Sequence, residues 1–235
     1  MFRSGALRLP ATRHTLVRPA VREILLWSCR TSQASQFLFD PDQVGWILST
    51  EELERLSRFR FSPDRDLFAV AHTMKRLALA DLLDRPPWAL KFIENAYGKP
   101  ELAGSGPWFN LSHSGEMAVM AVRLSGPVGV DIEVVDRPTN IDGLASQILT
   151  KVEHMELSAC MASERRPLLL RYWTVKEACV KALGLGLSEP FSTIDVRFEE
   201  SNDVTVRHFE NAQIECRRFT VDNEYIGAIA WLDRS

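Results

Sequence analysis

The run Gly129-Val130-Asp131-Ile132-Glu133-Val134 sets two carboxylates two residues apart among branched apolar neighbours. It predicts a strand. Side chains alternate along a strand, so Val130, Ile132 and Val134 face a core while Asp131 and Glu133 share the other face, about 6 to 7 Å apart. Like charges there repel, and paired carboxylates acting with substrate phosphates are a common Mg²⁺ seat; an edge strand with two solvated acids gives the same pattern. A third carboxylate comes from the segment 172–184, where helical spacing puts Trp173, Glu177 and Lys181 on one stripe at successive i+4 steps, ended by Gly184 and Gly186. Isolated, an exposed Glu-Lys pair contributes only about 0.3 to 0.5 kcal/mol. Beside Asp131 and Glu133, Glu177 becomes a third metal ligand or a general base, and Lys181 a cation for phosphate oxygens.

Two polar turns add donors. Phe109-Asn110-Leu111-Ser112-His113-Ser114-Gly115 offers a hydroxyl, an imidazole and a glycine backbone, the makings of an anion nest. Adjacent Ser112 and His113 do not make a nucleophile and base, because neighbours in sequence seldom orient that way and neither GxSxG nor a third member is present. Tyr97-Gly98-Lys99-Pro100 is a tight turn that presents a cation beside a ring. Cys29, Cys160, Cys179 and Cys216 are far apart, without CxxC or Cys/His pairing, and read as reduced thiols.

These groups need scaffolding. A short buried strand is expected over 24–28, a helix capped by Ser49 or Thr50, and a longer helix over 63–83 with apolar residues at three- and four-residue steps, stopped by Pro86-Pro87. Strands are expected over 107–122 and 128–135, joined by Ser125-Gly126-Pro127. Helices then follow over 142–149, 151–161 and 166–183, and strands over 193–198, 204–209, 214–219 and 225–232. Helices with antiparallel strands in each half indicate an α+β protein, divided near that middle turn into 23–126 and 127–235.

Composition sets the outer limits. With 235 residues, 46% hydrophobic and 25% charged, the chain can bury a core. Its net charge of −3 supplies no global field for nucleic acid or an anionic membrane, so an anionic ligand must be held locally. Residues 1–22 carry five arginines and no acid; removing their charge from the total leaves −8 on the remaining 213 residues. Pro10 and Pro19 interrupt any amphipathic targeting helix there, so a poorly ordered leader or an over-long start is expected.

In order and spacing, YGKP at 97–100, FNLSHSG at 109–115, GVDIE at 129–133 and WTVKEACVKALGLGL at 173–187 resemble the 4′-phosphopantetheinyl transferase superfamily, Sfp type, across roughly residues 50–232. The resemblance implies two similar α+β halves related by a pseudo-twofold, with the active site in the cleft between them. It implies Mg²⁺-dependent transfer of phosphopantetheine from coenzyme A to a serine of an apo acyl, peptidyl or aryl carrier protein, releasing adenosine 3′,5′-bisphosphate. By motif position, Asp131, Glu133 and Glu177 would hold Mg²⁺, Glu177 would take the serine proton, Lys181 would contact the phosphate under attack, and Lys176 would support the same cluster. Ser112 and His113 would bind the 3′-phosphate, while Tyr97, Gly98, Lys99 and Pro100 would line the adenine site, Lys99 adding charge. Arg55 is the best match for a basic phosphate contact in the early helices, and Leu67 stands where the family often has arginine. A cytoplasmic monomer that binds neither nucleic acid nor membrane is expected. Competing readings are a metal-dependent nuclease, which usually has Lys where Val135 stands, and a non-catalytic binder of coenzyme A or carrier protein.

Overall fold

The computed structural model describes residues 11–18, 21–38, 41–136, 138, 140–186, 190–199, 202–207 and 213–232. The chain enters on β1 (Thr12–Arg18), antiparallel to β2 (Val21–Arg30), with Thr12 opposite Ser28. This strand falls within residues 1–22, the segment expected to be a poorly ordered leader. Thr12, Thr15 and Val17 are β-branched and suit extended backbone, and the free edge of β2 supplies the ladder. Residues 1–10 lie outside the described residues. Two short helices the sequence did not signal, α1 (Thr31–Leu38) and α2 (Pro41–Ile47), lead to α3 (Thr50–Ser57) and α4 (Ser62–Leu83). Ser49 caps α3 in a reciprocal box with Glu52, and α4 ends on Asp84 in left-handed conformation just before Pro86-Pro87.

The small hairpin β3 (Phe92–Glu94) and β4 (Pro100–Leu102) precedes β5 (Trp108–Ser114) and β6 (Met117–Arg123). The single strand expected over 107–122 is thus a hairpin, folded at Gly115 with φ 56°. Its second arm gave no alternation because every residue of β6 is buried. Ala118, Met120 and Val122 join the core under α4, while Met117, Val119 and Ala121 face the opposite sheet. After β7 (Val128–Val134) come α5 (Ile141–Ile148), α6 (Lys151–Ala159) and α7 (Ala162–Leu183), then β8 (Asp195–Phe198), β9 (Asp203–Arg207), β10 (Ile214–Val221) and β11 (Tyr225–Leu232). The expected strand over 204–209 runs partly outside the described residues, and α7 starts four residues before its expected position, with Pro167 tolerated near its beginning.

The fold is α+β, as expected. One antiparallel sheet has the order β1-β2-β6-β5 and the other β7-β11-β10-β9-β8. A 22-residue helix covers each: α4 the first, α7 the second. Between the two sheets lies a third core, in which Ile24, Leu26, Met117, Val119 and Ala121 meet Val130, Ile132, Tyr225, Ile229 and Trp231. The second sheet holds α7 unusually close. A Cβ at Gly129 would lie 2.1 Å from the Ala178 carbonyl oxygen and 2.4 Å from the Ala182 nitrogen, so the helix rests on bare strand backbone. No helix among the described residues is long and apolar enough to cross a membrane, and the four cysteines are free thiols.

A buried ionic knot ties α3 to α4. Glu52 accepts from Lys75 Nζ at 2.7 Å and Arg76 Nε at 2.5 Å and lies 2.8 Å from His72 Nδ1. Burial by itself raises the Glu52 pKa, but His72, Lys75 and the Ser49 backbone outweigh it and hold the carboxyl far below the usual range. A depressed carboxylate stabilises the fold above its unfolded pKa of about 4.3, and that contribution is lost as pH falls from there toward the folded-state value. Glu52→Gln strands two buried cations, so urea unfolding at pH 7 should show a loss of about 3 to 5 kcal/mol. The gap to the parent should narrow below about pH 4.3; a gap that stays constant to pH 3 would show that the charge does not provide the stability.

Candidate active site

β5 and β7 belong to different sheets yet run side by side, and their junction is built from side chains. Three residues on one face of β5, Asn110, Ser112 and Ser114, are all buried. Asn110 Oδ1 accepts from the Val130 N–H at 2.9 Å, and Ser114 Oγ accepts from the Val134 N–H at 3.2 Å. These side chains satisfy the edge of β7 that β11 leaves unpaired. The two serine hydroxyls of this face grip the acids: Ser112 Oγ donates to Asp131 Oδ1 at 2.8 Å and Ser114 Oγ to Glu133 Oε2 at 2.6 Å.

The third acid arrives from α7. Lys181 Nζ donates to Asp131 Oδ1 at 2.6 Å and to Ser112 Oγ at 3.4 Å and stands 3.9 Å from Glu177 Oε2, while Trp173 Nε1 donates to Glu133 Oε1 at 3.3 Å. The stripe Trp173-Glu177-Lys181 therefore faces the acids of β7. Burial pushes the Glu177 carboxyl above its ordinary pKa; Lys181 opposes the shift, and the charges of Asp131 and Glu133 add to it. Asp131 is 4% exposed, and its Oδ2 is buried with no hydrogen-bond partner. Among the described residues no three His, Cys, Asp or Glu side chains converge into a ready-made metal cage; Lys181 occupies the space between Asp131 and Glu177. The chemistry of the donors nonetheless fits a hard dication: three carboxylates, one with an unpartnered buried oxygen and one whose ionisation its neighbours oppose.

Both parts of the chain match family models, residues 127–230 the 4′-phosphopantetheinyl transferase superfamily and residues 32–125 a 4′-phosphopantetheinyl transferase N-terminal model. The chain is 33% identical over 171 residues to the 4′-phosphopantetheinyl transferase HetI of Nostoc sp., a match covering 71% of each protein. The chain belongs to the 4′-phosphopantetheinyl transferase superfamily. It is also 30% identical over 189 residues to a 4′-phosphopantetheinyl transferase of Bacillus subtilis, covering 79% of this chain and 83% of that one. With Sfp of Bacillus subtilis the identity is 28% over 161 residues, covering 68% and 70%.

Three of the motif residues, Lys176, Ser112 and Lys99, make bonds within the protein that their motif positions did not signal. Lys176 does not reach the acids: it is 0% exposed, on the far side of α7, where its Nζ donates to Glu153 Oε2 at 2.5 Å and to the carbonyls of Ile148 and Phe191. Neighbours at i and i+1 on a helix point about 100° apart, so Glu177 at the cleft directs Lys176 into the core. Ser112 is bonded to Asp131 and Lys181, since the strand's alternation turns it inward and turns His113 outward. Lys99 adds no free charge: its Nζ donates to the carbonyls of Lys181 at 2.6 Å and Val128 at 3.1 Å.

The other carried-over residues lie on β5, on the β3–β4 hairpin and on α3. His113 is exposed on the outer face of β5; crowding by protein and the Lys181 charge lower its imidazole pKa, against the pull of Asp131 and of Asp64 at the start of α4. Tyr97 is half-exposed, Gly98 turns with φ 78°, and Pro100 opens β4. Arg55 is exposed on α3 with its guanidinium 5.2 Å over the Phe68 ring. Asn110 and Ser114 were missed, although their i, i+2, i+4 spacing with Ser112 between Phe109, Leu111 and His113 was a visible signal of a polar strand face. Glu153 was missed as well. Besides Lys176 it accepts from the Val196 N–H at 2.9 Å and closes the Thr150 capping box of α6.

The Lys176–Glu153 pair thus fixes α7 from behind. Lys176→Met leaves a buried carboxylate alone and should lower unfolding stability by about 3 to 5 kcal/mol. Adding Glu153→Gln to it should recover part of the loss in a double-mutant cycle, and strictly additive losses would show that the two side chains do not act as a pair.

Proposed function

We propose that the Asp131-Ser112-Lys181 cluster with Glu177 above it transfers 4′-phosphopantetheine from coenzyme A to a serine hydroxyl of an apo carrier protein, releasing adenosine 3′,5′-bisphosphate. The observation that carries the reading is that the Lys181 ammonium lies between Asp131 of β7 and Glu177 of α7, with Asp131 Oδ2 buried and unpartnered, at the meeting of the two matched segments. The serine oxygen attacks the phosphorus bearing pantetheine, and the bond from that phosphorus to the bridging oxygen of the adenosine bisphosphate breaks.

Asp131, Glu133 and Glu177 would hold Mg²⁺, which neutralises pyrophosphate charge when bound. Lys181, already between Asp131 and Glu177, turns its ammonium toward the phosphate under attack. Glu177 accepts the proton that the serine hydroxyl loses. Ser112 and Ser114 hold the β7 acids in place, and Trp173 covers Glu133. His113, beside the start of α4, contacts the 3′-phosphate, with Tyr97, Gly98 and Pro100 against the adenine. The reading includes two halves, 23–126 and 127–235, related by a pseudo-twofold, and a cytoplasmic monomer acting on fatty-acid, polyketide, nonribosomal-peptide or siderophore carriers.

With Mg²⁺, coenzyme A and apo carrier proteins, intact mass should show a phosphopantetheine adduct that is lost when the metal is chelated; no adduct on any of several carriers rejects the reading. Glu177→Gln should lose at least about a hundredfold in turnover while melting like the parent, the scale of a missing general base. His113→Ala should chiefly raise the KM for coenzyme A; a change confined to the KM for carrier would remove it from the 3′-phosphate.

A further inference from the structure

Each charged group of the site must be placed twice, once by its own side-chain bonds and once by the backbone that carries it. Glu177 and Lys181 ride on the last two turns of α7, and Asp131 and Glu133 on β7. Helix C-termini carry carbonyls with no partner in the helix, and they fray when nothing holds them. The C-terminus of α7 is partly closed by Gly184, left-handed with φ 74°, whose N–H reaches the Val180 and Lys181 carbonyls at 3.0 and 3.3 Å. A second closure comes from the turn between β3 and β4.

We infer that Lys99 is a positioning residue: its ammonium pins the last turn of α7 to the start of β7 and so fixes the approach of Lys181 and Glu177 to Asp131. Lys99 Nζ lies 2.6 Å from the Lys181 carbonyl oxygen and 3.1 Å from that of Val128, so one side chain joins the two acid-bearing elements at the backbone. A cation at the carbonyl end of a helix is also favoured by the helix dipole. The turn that presents it is rigid. Asn95 Oδ1 accepts from the N–H groups of Tyr97 and Lys99, and Asn95 Nδ2 donates to the Gly184 carbonyl at 3.2 Å. The glycines of the GLG run let the turn come close: a Cβ at Gly184 would lie 3.0 Å from Asn95 Nδ2, and one at Gly186 would lie 3.2 Å from Tyr97 Cβ.

Phosphate binding by Lys99 conflicts with this arrangement, because reaching outward would strip both carbonyls of their donor. Burial lowers the Lys99 pKa to about 8, and a neutral amine still donates to both oxygens, so the brace does not depend on the charge. The catalytic consequence rests on the transfer reaction proposed above, whereas the mechanical one does not.

The test compares Lys99→Met, which keeps the stem and removes the donors, and Lys99→Gln, which keeps one donor group, in the full chain. Amide hydrogen exchange at 183–186 should quicken at least about tenfold in Lys99→Met and by less in Lys99→Gln. Transfer should lose at least about tenfold in kcat, with the KM for coenzyme A within about twofold of the parent, the pattern of a misplaced catalytic group. Exchange equal to the parent's in both variants overturns the inference, as does a raised coenzyme A KM at unchanged kcat. If Lys99→Met does not fold, Lys99→Gln decides on the same criteria. If the parent transfers nothing to any carrier, the functional reading fails and exchange alone decides whether Lys99 braces the helix.

Discussion

Asn110, Ser112 and Ser114 do for β5 and β7 what a backbone ladder does for two strands of one sheet. Because the bonds run from side chain to backbone and from side chain to carboxylate, the strands sit side by side without merging their sheets. Asn110 and Ser114 satisfy the edge of β7, Ser112 and Ser114 hold its two acids, and Ser114 does both. The third core beneath the junction is apolar and non-directional and brings the sheets together; the polar row above it sets their register. Everything chemical in the molecule is placed relative to that row.

Two clusters in the chain show opposite electrostatic designs. Around Glu52, one acid serves two cations and an imidazole, and the group is buried and self-contained. Around Asp131, the acids Asp131 and Glu177 share the Lys181 ammonium. Glu177 gains a proton more readily than an ordinary glutamate, and Asp131 keeps an unanswered oxygen. The first arrangement stabilises a helix pair. The second remains short of positive charge, which is what a site for a cation and an anionic substrate requires.

How far the sequence disclosed this varies with the kind of interaction. The alternation in GVDIEV gave β7 and the orientation of its acids, and the i+4 steps gave the stripe on α7, because both depend on local geometry alone. The class of fold followed from the same patterns. β6 was hidden because burial on both faces erases alternation. The bonds of Lys176, Ser112 and Lys99 were not legible for a common reason: a motif names residues that must be present together but not which way each points. For Lys176 the angle between helix neighbours settles it, for Ser112 the pleat of β5, and for Lys99 the pull of carbonyls 29 and 82 residues away.

Dividing the cores among three places also bears on how the polypeptide could be taken apart. The cores under α4 and α7 each belong to one sheet, but the third is shared, and so is the polar row. A polypeptide severed at Ser125-Gly126-Pro127 would give two fragments, each with a finished helix-covered side and a raw apolar side. Each fragment alone would be prone to clumping, and each has the other as its best-matched lid. Such fragments would be natural halves for reconstitution, with phosphopantetheine transfer as the signal that they had found one another.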